Sequence, residues 1–190
     1  MKFNDFKSQH QKYPLIFSRD IQVKKEDLQK ERNQLNRWVN NGLIIRLKRG
    51  VYSLNKQDRR IVPDAGYIAN HLYEPSYISL EYALTFYGLI PEETKDVTSI
   101  STRKTMSFEN EFGNFIYQHI KPSAFRGFKK MGSGAFNFFM AEAEKALVDF
   151  LYLHLAEFSK DIKNRLENFY RFQNLDELNQ EKLMKYGLLF

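Results

Sequence analysis

Hydrophobic and polar residues recur along the first 60 residues in a pattern that predicts three helices. Apolar residues at helical spacing predict a first helix over residues 3–13, which ends before Pro14 because proline disfavours helix in the residue ahead of it. A short second helix is predicted over residues 18–21, with Ser18 as its N-cap. A third helix is predicted over about residues 25–40, and Gly42 is its expected C-terminal stop.

The third predicted helix has an apolar side and a polar side. At about 100° per residue, Leu35 and Val39 project within about 20° of Leu28. Trp38 lies about 80° away, and these four side chains are expected to face the core. The opposite side carries long donors and amides without a carboxylate, a set that can bond base edges in the DNA major groove. It consists of Gln29, Lys30, Asn33, Arg37 and Asn40. The alternative interpretation is a solvated polar surface.

Residues 43–54 are predicted to form a basic β-hairpin. Apolar and basic residues alternate, and Gly50 can take the positive φ angle that the turn needs. A basic hairpin after such a helix is the arrangement of a winged helix-turn-helix domain, in which the helix enters the major groove of double-stranded DNA and the wing contacts phosphate or the minor groove. Arg46, Lys48 and Arg49 are the wing candidates. Polar residues 55–60 mark the boundary of a DNA-binding domain over residues 1–60.

Residues 61–190 are predicted to form a second domain of mixed helix and sheet. Its helices are expected over residues 63–73, 79–88 and 141–155, followed by a helical tail from about residue 159. On the helix over 141–155, Glu142, Lys145 and Asp149 are expected to line the side opposite the core. The predicted fold class is therefore α+β, with an N-terminal winged helix-turn-helix, a mixed helix and three-strand-sheet domain, and a helical C-terminal tail.

Three runs rich in β-branched and aromatic residues are predicted to form the sheet of the second domain. They cover residues 97–103, 112–120 and 135–140. Between the last two runs, Gly127, Gly132 and Gly134 surround Lys129 and Lys130, which predicts a mobile basic turn. A phosphate-binding loop is not predicted there, because neither Gly-Lys-Ser/Thr nor a strand-loop-helix context is present.

Positive charge is concentrated in the first third of the chain. The 190 residues carry a formal net charge of +6, but residues 1–60 hold fifteen Lys or Arg against six Asp or Glu, a net charge of +9, and residues 61–190 have a net charge of −3. A module of this sign attracts a polyanion through phosphate neutralisation and counterion release. The alternative interpretation is a soluble basic domain that has no binding partner.

The chain has no cysteine, which excludes disulfides, thiolate zinc sites and cysteine nucleophiles and suits a reducing compartment. No apolar run approaches the ~20 residues that span a bilayer, and the polar start does not resemble a signal peptide. We therefore expect a cytoplasmic protein that neither spans a membrane nor is secreted.

Several segments in a fixed order resemble the AbiEi-like antitoxins, transcriptional regulators of type IV toxin-antitoxin systems. The matching segments are residues 38–44, 47–52, 75–83, 87–91, 98–105, 115–120 and 141–149. The resemblance implies a winged-helix domain that represses its own operon and a second domain that counteracts a neighbouring nucleotidyltransferase-like toxin. A solitary regulator without a toxin is the open alternative.

Catalysis is not expected, although helix, three strands and helix is also the order of restriction-endonuclease-like nucleases. Such a site needs an acidic residue near the second strand and Glu-x-Lys on the third, where carboxylates hold magnesium. Gly113 and Asn114 occupy the first place and residues 136–139 the second, while Glu144 and Lys145 fall on the next helix. The four histidines lack metal-ligand spacing, so no metal or small-molecule cofactor is expected. A further alternative is a protein-interaction module with an inert winged helix.

Overall fold

A computed structural model of the chain describes residues 2–21, 27–132, 136–155 and 170–190. Within these ranges the protein is a mixed α+β structure with six α-helices, one sheet of three strands and one of six. The chain divides into two units. The first unit contains Met1–Asp64 and Phe108–Phe112, and the second contains Ala65–Ser107 and Gly113–Phe190. The first unit is thus assembled from two separate stretches of sequence.

Within its described residues, the first part of this unit contains two α-helices and a three-stranded sheet. The elements are α1 (Phe3–His10), β1 (Ile16–Phe17), a 3-10 turn (Ser18–Asp20), α2 (Leu28–Asn40), β2 (Ile44–Lys48) and β3 (Val51–Leu54). The predicted first helix and hairpin are confirmed, but the predicted second helix is only the 3-10 turn, and its Ser18 makes no capping bond. Residues 25 and 26 of the predicted third helix lie outside the described residues.

Strand β1 was not predicted from the sequence. It pairs antiparallel with β3, opposite Tyr52 and Val51, and gives the sheet the order β1-β3-β2. Two residues between Pro14 and a 3-10 turn are too few to show the alternation that identifies a strand. Its pairing nevertheless places β3 in the middle of the sheet, and all four residues of β3 are buried.

Two glycines with positive φ angles end α2 and form the turn of the hairpin. Gly42 ends α2 at φ +68°, with its N–H donating to Val39 O and the Leu43 N–H donating to Trp38 O. This pair of bonds satisfies the last helix carbonyls and requires the left-handed conformation that glycine adopts without strain. Gly50 has φ +83° in the turn between β2 and β3. The predicted helix stop and hairpin turn are therefore confirmed.

The core of the first unit is formed by aromatic and aliphatic side chains from α1, α2 and the sheet. The Phe6 and Trp38 rings lie 4.8 Å apart, and Leu35, Ile44 and Leu54 pack in the same cluster. Leu28, which was expected to face this core, is 41% exposed. It is the first residue of α2, and the buried side of the helix is centred on Leu35 and Trp38 instead.

The larger sheet of the described residues is mixed and has six strands, and most of its residues belong to the second unit. Its strands are β4 (Ser76–Ile78), β5 (Val97–Ser101), β6 (Met106–Asn110), β7 (Gly113–His119), β8 (Phe128–Met131) and β9 (Phe138–Ala141), and their spatial order is β6-β7-β5-β4-β9-β8. The pairs β5/β7 and β4/β9 are parallel, whereas β4/β5 and β8/β9 are antiparallel. The three predicted strands belong to this sheet, although residue 135 of the third one lies outside the described residues. Strands β4, β6 and β8 were not predicted.

Strand β8 corrects the predicted basic turn, of which Gly134 lies outside the described residues. Lys129 and Lys130 lie in it, paired with Met140 and Phe139 of β9, rather than in a mobile loop. Two adjacent lysines hide the alternation of a strand at the sheet edge, where exposed charge is common. Within the described residues, β8 is the last strand of the sheet on its side.

Three helices pack against this sheet: α3 (Ala65–Leu72), α4 (Leu80–Phe86) and α5 (Ala143–Leu153). A fourth helix, α6 (Gln180–Gly187), packs against α5. The expectation that Lys145 and Asp149 lie on the outer side of α5 is wrong, since both are completely buried. Residues 159–169 of the predicted helical tail lie outside the described residues. No helix in the described ranges combines the length and apolarity needed to cross a membrane.

Candidate nucleic-acid interface

The polar row predicted on the third helix lies on the exposed side of α2. All five members, Gln29, Lys30, Asn33, Arg37 and Asn40, are solvent-exposed. Their contacts are with polar neighbours on or beside the helix: Gln29 donates to Asn33 at 3.1 Å, and Arg37 donates to Gln34 at 2.7 Å. Lys30 bonds Asp27, which raises the pKa of this lysine. These exposed bonds are weak in water and are readily exchanged for bonds to a ligand.

A basic groove runs between α2 and the β2–β3 hairpin. It has a volume of about 580 Å³ and is lined by four arginines, Arg19, Arg32, Arg46 and Arg49. All four are exposed. They come from the 3-10 turn, the helix and the hairpin, so only the folded unit brings them together. Planar guanidinium groups match phosphate oxygens and guanine edges through paired hydrogen bonds.

Asn36 and Arg46 join the helix to the hairpin across this groove. The Arg46 guanidinium donates to Asn36 Oδ1 at 2.6 Å. The bond orients an arginine from β2 alongside the exposed row of α2. The predicted wing residue Arg46 and the helix therefore present one surface rather than two separate ones.

Glu31 is the acidic residue among those that line the groove. Burial raises the pKa of its carboxyl, and the nearby Arg32 opposes this shift by a smaller amount. Against four arginines, one carboxylate leaves a lining with a net charge of +3. The groove thus attracts an anion of extended shape.

Lys48 is placed differently from the other two wing candidates. Its side chain is half-buried, and its Nζ lies 5.7 Å from the centre of the Phe108 ring. Arg49, by contrast, is exposed and lines the groove. Arg46 and Arg49 are consequently better placed than Lys48 to contact a ligand in the groove.

Sequence reasoning missed three groove residues, Arg19, Arg32 and Asn36. The phase of α2 was measured from Leu28, which put Arg32 about 40° from the assumed core direction. When the core direction is taken from Leu35 and Trp38, Arg32 lies at the edge of the exposed side, where it lines the groove beside the hairpin. The position of Trp38, the single tryptophan of the chain, would have given the correct phase. Arg19 has no such signal because its position depends on the β1–β3 pairing.

A second group of polar residues is buried inside the second unit. Tyr77, Ser79, Lys145 and Asp149 are each 0% exposed. Tyr77 OH and Ser79 Oγ both donate to Asp149 Oδ2 at 2.9 Å, and Lys145 Nζ donates to the other carboxylate oxygen. Burial lowers the pKa of Lys145 and raises the pKa of Asp149, while attraction between the two opposes both shifts.

This buried network has the composition of a catalytic site but not the access of one. Its polar groups bond one another, and solvent reaches none of the four side chains. Strands β7 and β9, where a nuclease would place its metal-binding carboxylates, carry neither Asp nor Glu. Among the described residues, no three His, Asp or Glu side chains are grouped to hold a metal ion. The network joins β4 and the start of α4 to α5 inside the second unit.

Comparison with known proteins gives no matching family model, and no curated protein is significantly similar to the chain.

Proposed function

We propose that the first unit is a winged helix-turn-helix domain that binds double-stranded DNA and acts by binding rather than by catalysis. The observation that carries the proposal is the groove in which Arg19, Arg32, Arg46 and Arg49 flank the exposed polar row of α2. Helix α2 followed by a basic hairpin within a β1-β3-β2 sheet provides the scaffold. A cytoplasmic location follows from this proposal, because the DNA is there.

The side chains divide into two roles. Asn33, Asn36 and Asn40 project from the middle of the exposed side of α2, and their amides suit adenine edges in the major groove. The groove arginines lie between this row and the hairpin, where the phosphate backbone would pass. Arg37, on the far side of the row, is the candidate for bonding guanine.

Substitution of Arg37 tests the base-reading role. We expect Arg37→Ala to weaken specific binding by about 1–3 kcal/mol and to relax base preference while leaving the salt dependence nearly unchanged. Binding to the DNA upstream of the gene, and to a scrambled duplex, is measured by fluorescence anisotropy across a salt series. Lys56→Ala is the matched control, since Lys56 is an exposed cation of the same unit outside the groove.

Substitution of the hairpin arginines tests the phosphate role. Arg46→Ala with Arg49→Ala should weaken binding to all sequences and reduce the slope of log K against log salt by about 2, or about one for each lost phosphate contact. Lys48→Ala should change the slope less, because the Phe108 ring holds this side chain. Binding that does not respond to salt, or equal slopes for Lys56→Ala and the double variant, would contradict the proposal.

We further propose that the protein is the antitoxin of a type IV pair that represses its own operon. The support is the sequence resemblance, which extends from the N-terminal unit into α5. The proposed partner is a nucleotidyltransferase-like toxin encoded next to the gene. Co-expression with that neighbouring reading frame should restore growth, and the Arg46→Ala, Arg49→Ala variant should lose repression of an operon reporter. Unchanged repression by this variant would show that the groove arginines are not needed for regulation.

A further inference from the structure

The second unit contains a cavity that the proposed function does not use. It lies at the start of β4 and has a volume of about 350 Å³. Small-molecule pockets have volumes of about 300–1,000 Å³, so this one suits a compact ligand. Among the residues that line it are Phe125, Phe128, Phe139, His71, Glu74 and Ser76.

The cavity exists because two strands of the sheet separate. Strands β4 and β9 pair only at Ile78 and Met140, so they are not bonded to each other near Ser76. The Asn70 side chain bonds the β9 backbone instead: the Phe139 N–H donates to Asn70 Oδ1, and Asn70 Nδ2 donates to Phe139 O. The backbone groups of Phe139 are thus satisfied while a gap remains in the sheet.

Three phenyl rings form the apolar part of the cavity. The Phe128 ring centre lies 5.2 Å from that of Phe125 and 5.5 Å from that of Phe139, and both pairs meet edge to face. Tyr77 stacks on Phe128 at 4.7 Å and 22°, and its hydroxyl is held in the network around Asp149. The rings are therefore supported from behind, whereas Phe139 is 45% exposed and open to a ligand.

One polar atom in the cavity lining is buried without a partner. Ser76 is 7% exposed, and its Oγ forms no hydrogen bond with any described residue. Ser53 and Ser99 also lack a partner among the described residues, but Ser76 is the one of these three serines that lines the cavity, where a ligand can supply the missing hydrogen bond. Glu74 and Asn137 add polar groups to the same lining.

The charge of the lining restricts the ligand further. Glu74 contributes a carboxylate that bonds His71 at 2.9 Å, and none of the described lining residues is a lysine or arginine. The Arg103 guanidinium donates to the Glu74 carbonyl outside the lining, so the lining itself offers a phosphate or carboxylate one negative charge and no fixed positive one. A neutral or cationic ligand meets no such repulsion.

We propose that this cavity binds a small, planar, aromatic ligand that is neutral or cationic and has a hydrogen-bonding edge. Its ring stacks on Phe139 and Phe128, and its edge bonds Ser76 Oγ. Two sources share this chemistry, a free nucleoside and an indole amine. The proposal concerns the second unit and does not depend on DNA binding by the first.

In the test, the intact protein is titrated with adenosine, guanosine, cytidine, uridine and tryptamine. Binding of each compound is measured by saturation-transfer NMR and calorimetry. AMP tests the effect of a phosphate, and cyclohexylamine tests the need for an aromatic ring. We expect saturable binding by at least one nucleoside or by tryptamine, with AMP and cyclohexylamine bound at least about tenfold more weakly, the loss that stacking and charge predict. The nucleoside and indole arms distinguish the two sources.

Matched variants locate the binding. Phe139→Leu and Ser76→Ala should each weaken it by about tenfold. Phe86→Leu is the control for the ring, since Phe86 is 55% exposed elsewhere in the same unit. Ser99→Ala is the control for the hydroxyl, because Ser99 is also a buried serine without a partner among the described residues but does not line the cavity. Both controls should bind like the unaltered protein.

Three results would overturn the proposal. The first is no binding by any nucleoside or by tryptamine at about 1 mM, a concentration that detects even a weak site. The second is binding that Phe139→Leu and Ser76→Ala leave unchanged. The third is binding of a Gly-Trp-Gly peptide but of none of the free rings, which would make the cavity a docking site for a protein side chain.

Discussion

At the scale of single residues, the buried pair Lys145 and Asp149 shows that the same spacing of four residues on a helix can give either an exposed or a buried ion pair. A lysine four residues before an aspartate is common on exposed helix surfaces, and the sequence predicted that arrangement. In the structure both side chains are buried, because Tyr77 and Ser79 from β4 and its end supply the remaining hydrogen bonds. The pairing could be predicted from α5 alone, but its burial could not.

Removing one member of this pair should destabilise the second unit strongly. Asp149→Ala leaves the Lys145 cation buried without its counter-ion, so we expect a loss of about 3–5 kcal/mol in the free energy of unfolding, measured by urea denaturation. The double variant Lys145→Met, Asp149→Leu removes both charges and should be clearly more stable than the single variant. A double variant that is no more stable than Asp149→Ala would show that packing, rather than charge, sets the cost.

At the scale of elements, strong helices were predictable and short strands were not. Helix α2 has a long periodic pattern with a glycine stop, and its existence followed from the sequence. Strands β1 and β4 have only two and three residues, too few to show a period of two. The candidate site divides in the same way: the exposed row of α2 was predicted, whereas Arg19 entered the groove through the unpredicted strand β1.

Helix α6 is held against the start of α5 by hydrogen bonds to a carboxylate, and these bonds should weaken when acid protonates that carboxylate. Glu142 accepts hydrogen bonds from Lys182 at 2.7 Å and from Tyr186 at 3.0 Å. The bond from Lys182 is the main cause that lowers the pKa of Glu142. A carboxylate with a lowered folded pKa contributes stability that is complete above its ordinary value of 4.5 and is lost as the pH falls through the folded value.

We therefore expect α6 to loosen below about pH 4.5, while the central strands β5 and β7 stay ordered. NMR order parameters for Gln180–Gly187 between about pH 6.5 and pH 3.5 measure this change. The variant Glu142→Gln should show looser α6 residues already at neutral pH and a smaller change on acidification. Order parameters for α6 that fall only together with those of β5 would indicate global unfolding instead.

At the scale of the whole molecule, the first unit is assembled from two separate stretches of the chain. The shift in charge and the polar residues 55–60 predicted a single boundary, whereas the first unit runs to Asp64 and also contains Phe108–Phe112. Lys48 and Arg59 lie over the rings of Phe108 and Phe112, at 5.7 Å and 5.1 Å. Contacts between residues so distant in sequence leave no local pattern from which they could be predicted.

A fragment of residues 1–64 should consequently be less stable than the first unit of the whole chain. It lacks both rings, each of which contributes about 0.5–1 kcal/mol or more through a cation–π contact. We expect the fragment to bind DNA with a similar salt slope but to unfold at a lower temperature, measured by Trp38 fluorescence. Phe108→Ala with Phe112→Ala in the whole chain should reproduce the loss, and a fragment as stable as the whole chain would contradict this interpretation.

The separated segments of the first unit also affect its synthesis. Ala65–Ser107, 43 residues of the second unit, must be translated before Phe108–Phe112 exists. At about 5–20 residues per second, the ribosome needs about 2–9 s for this stretch. During that time the nascent chain holds most of the first unit without its last aromatic side chains. The first unit is therefore completed only after part of the second unit has been translated. Mutations that slow translation through residues 65–107 of the second unit consequently delay the folding of the first unit.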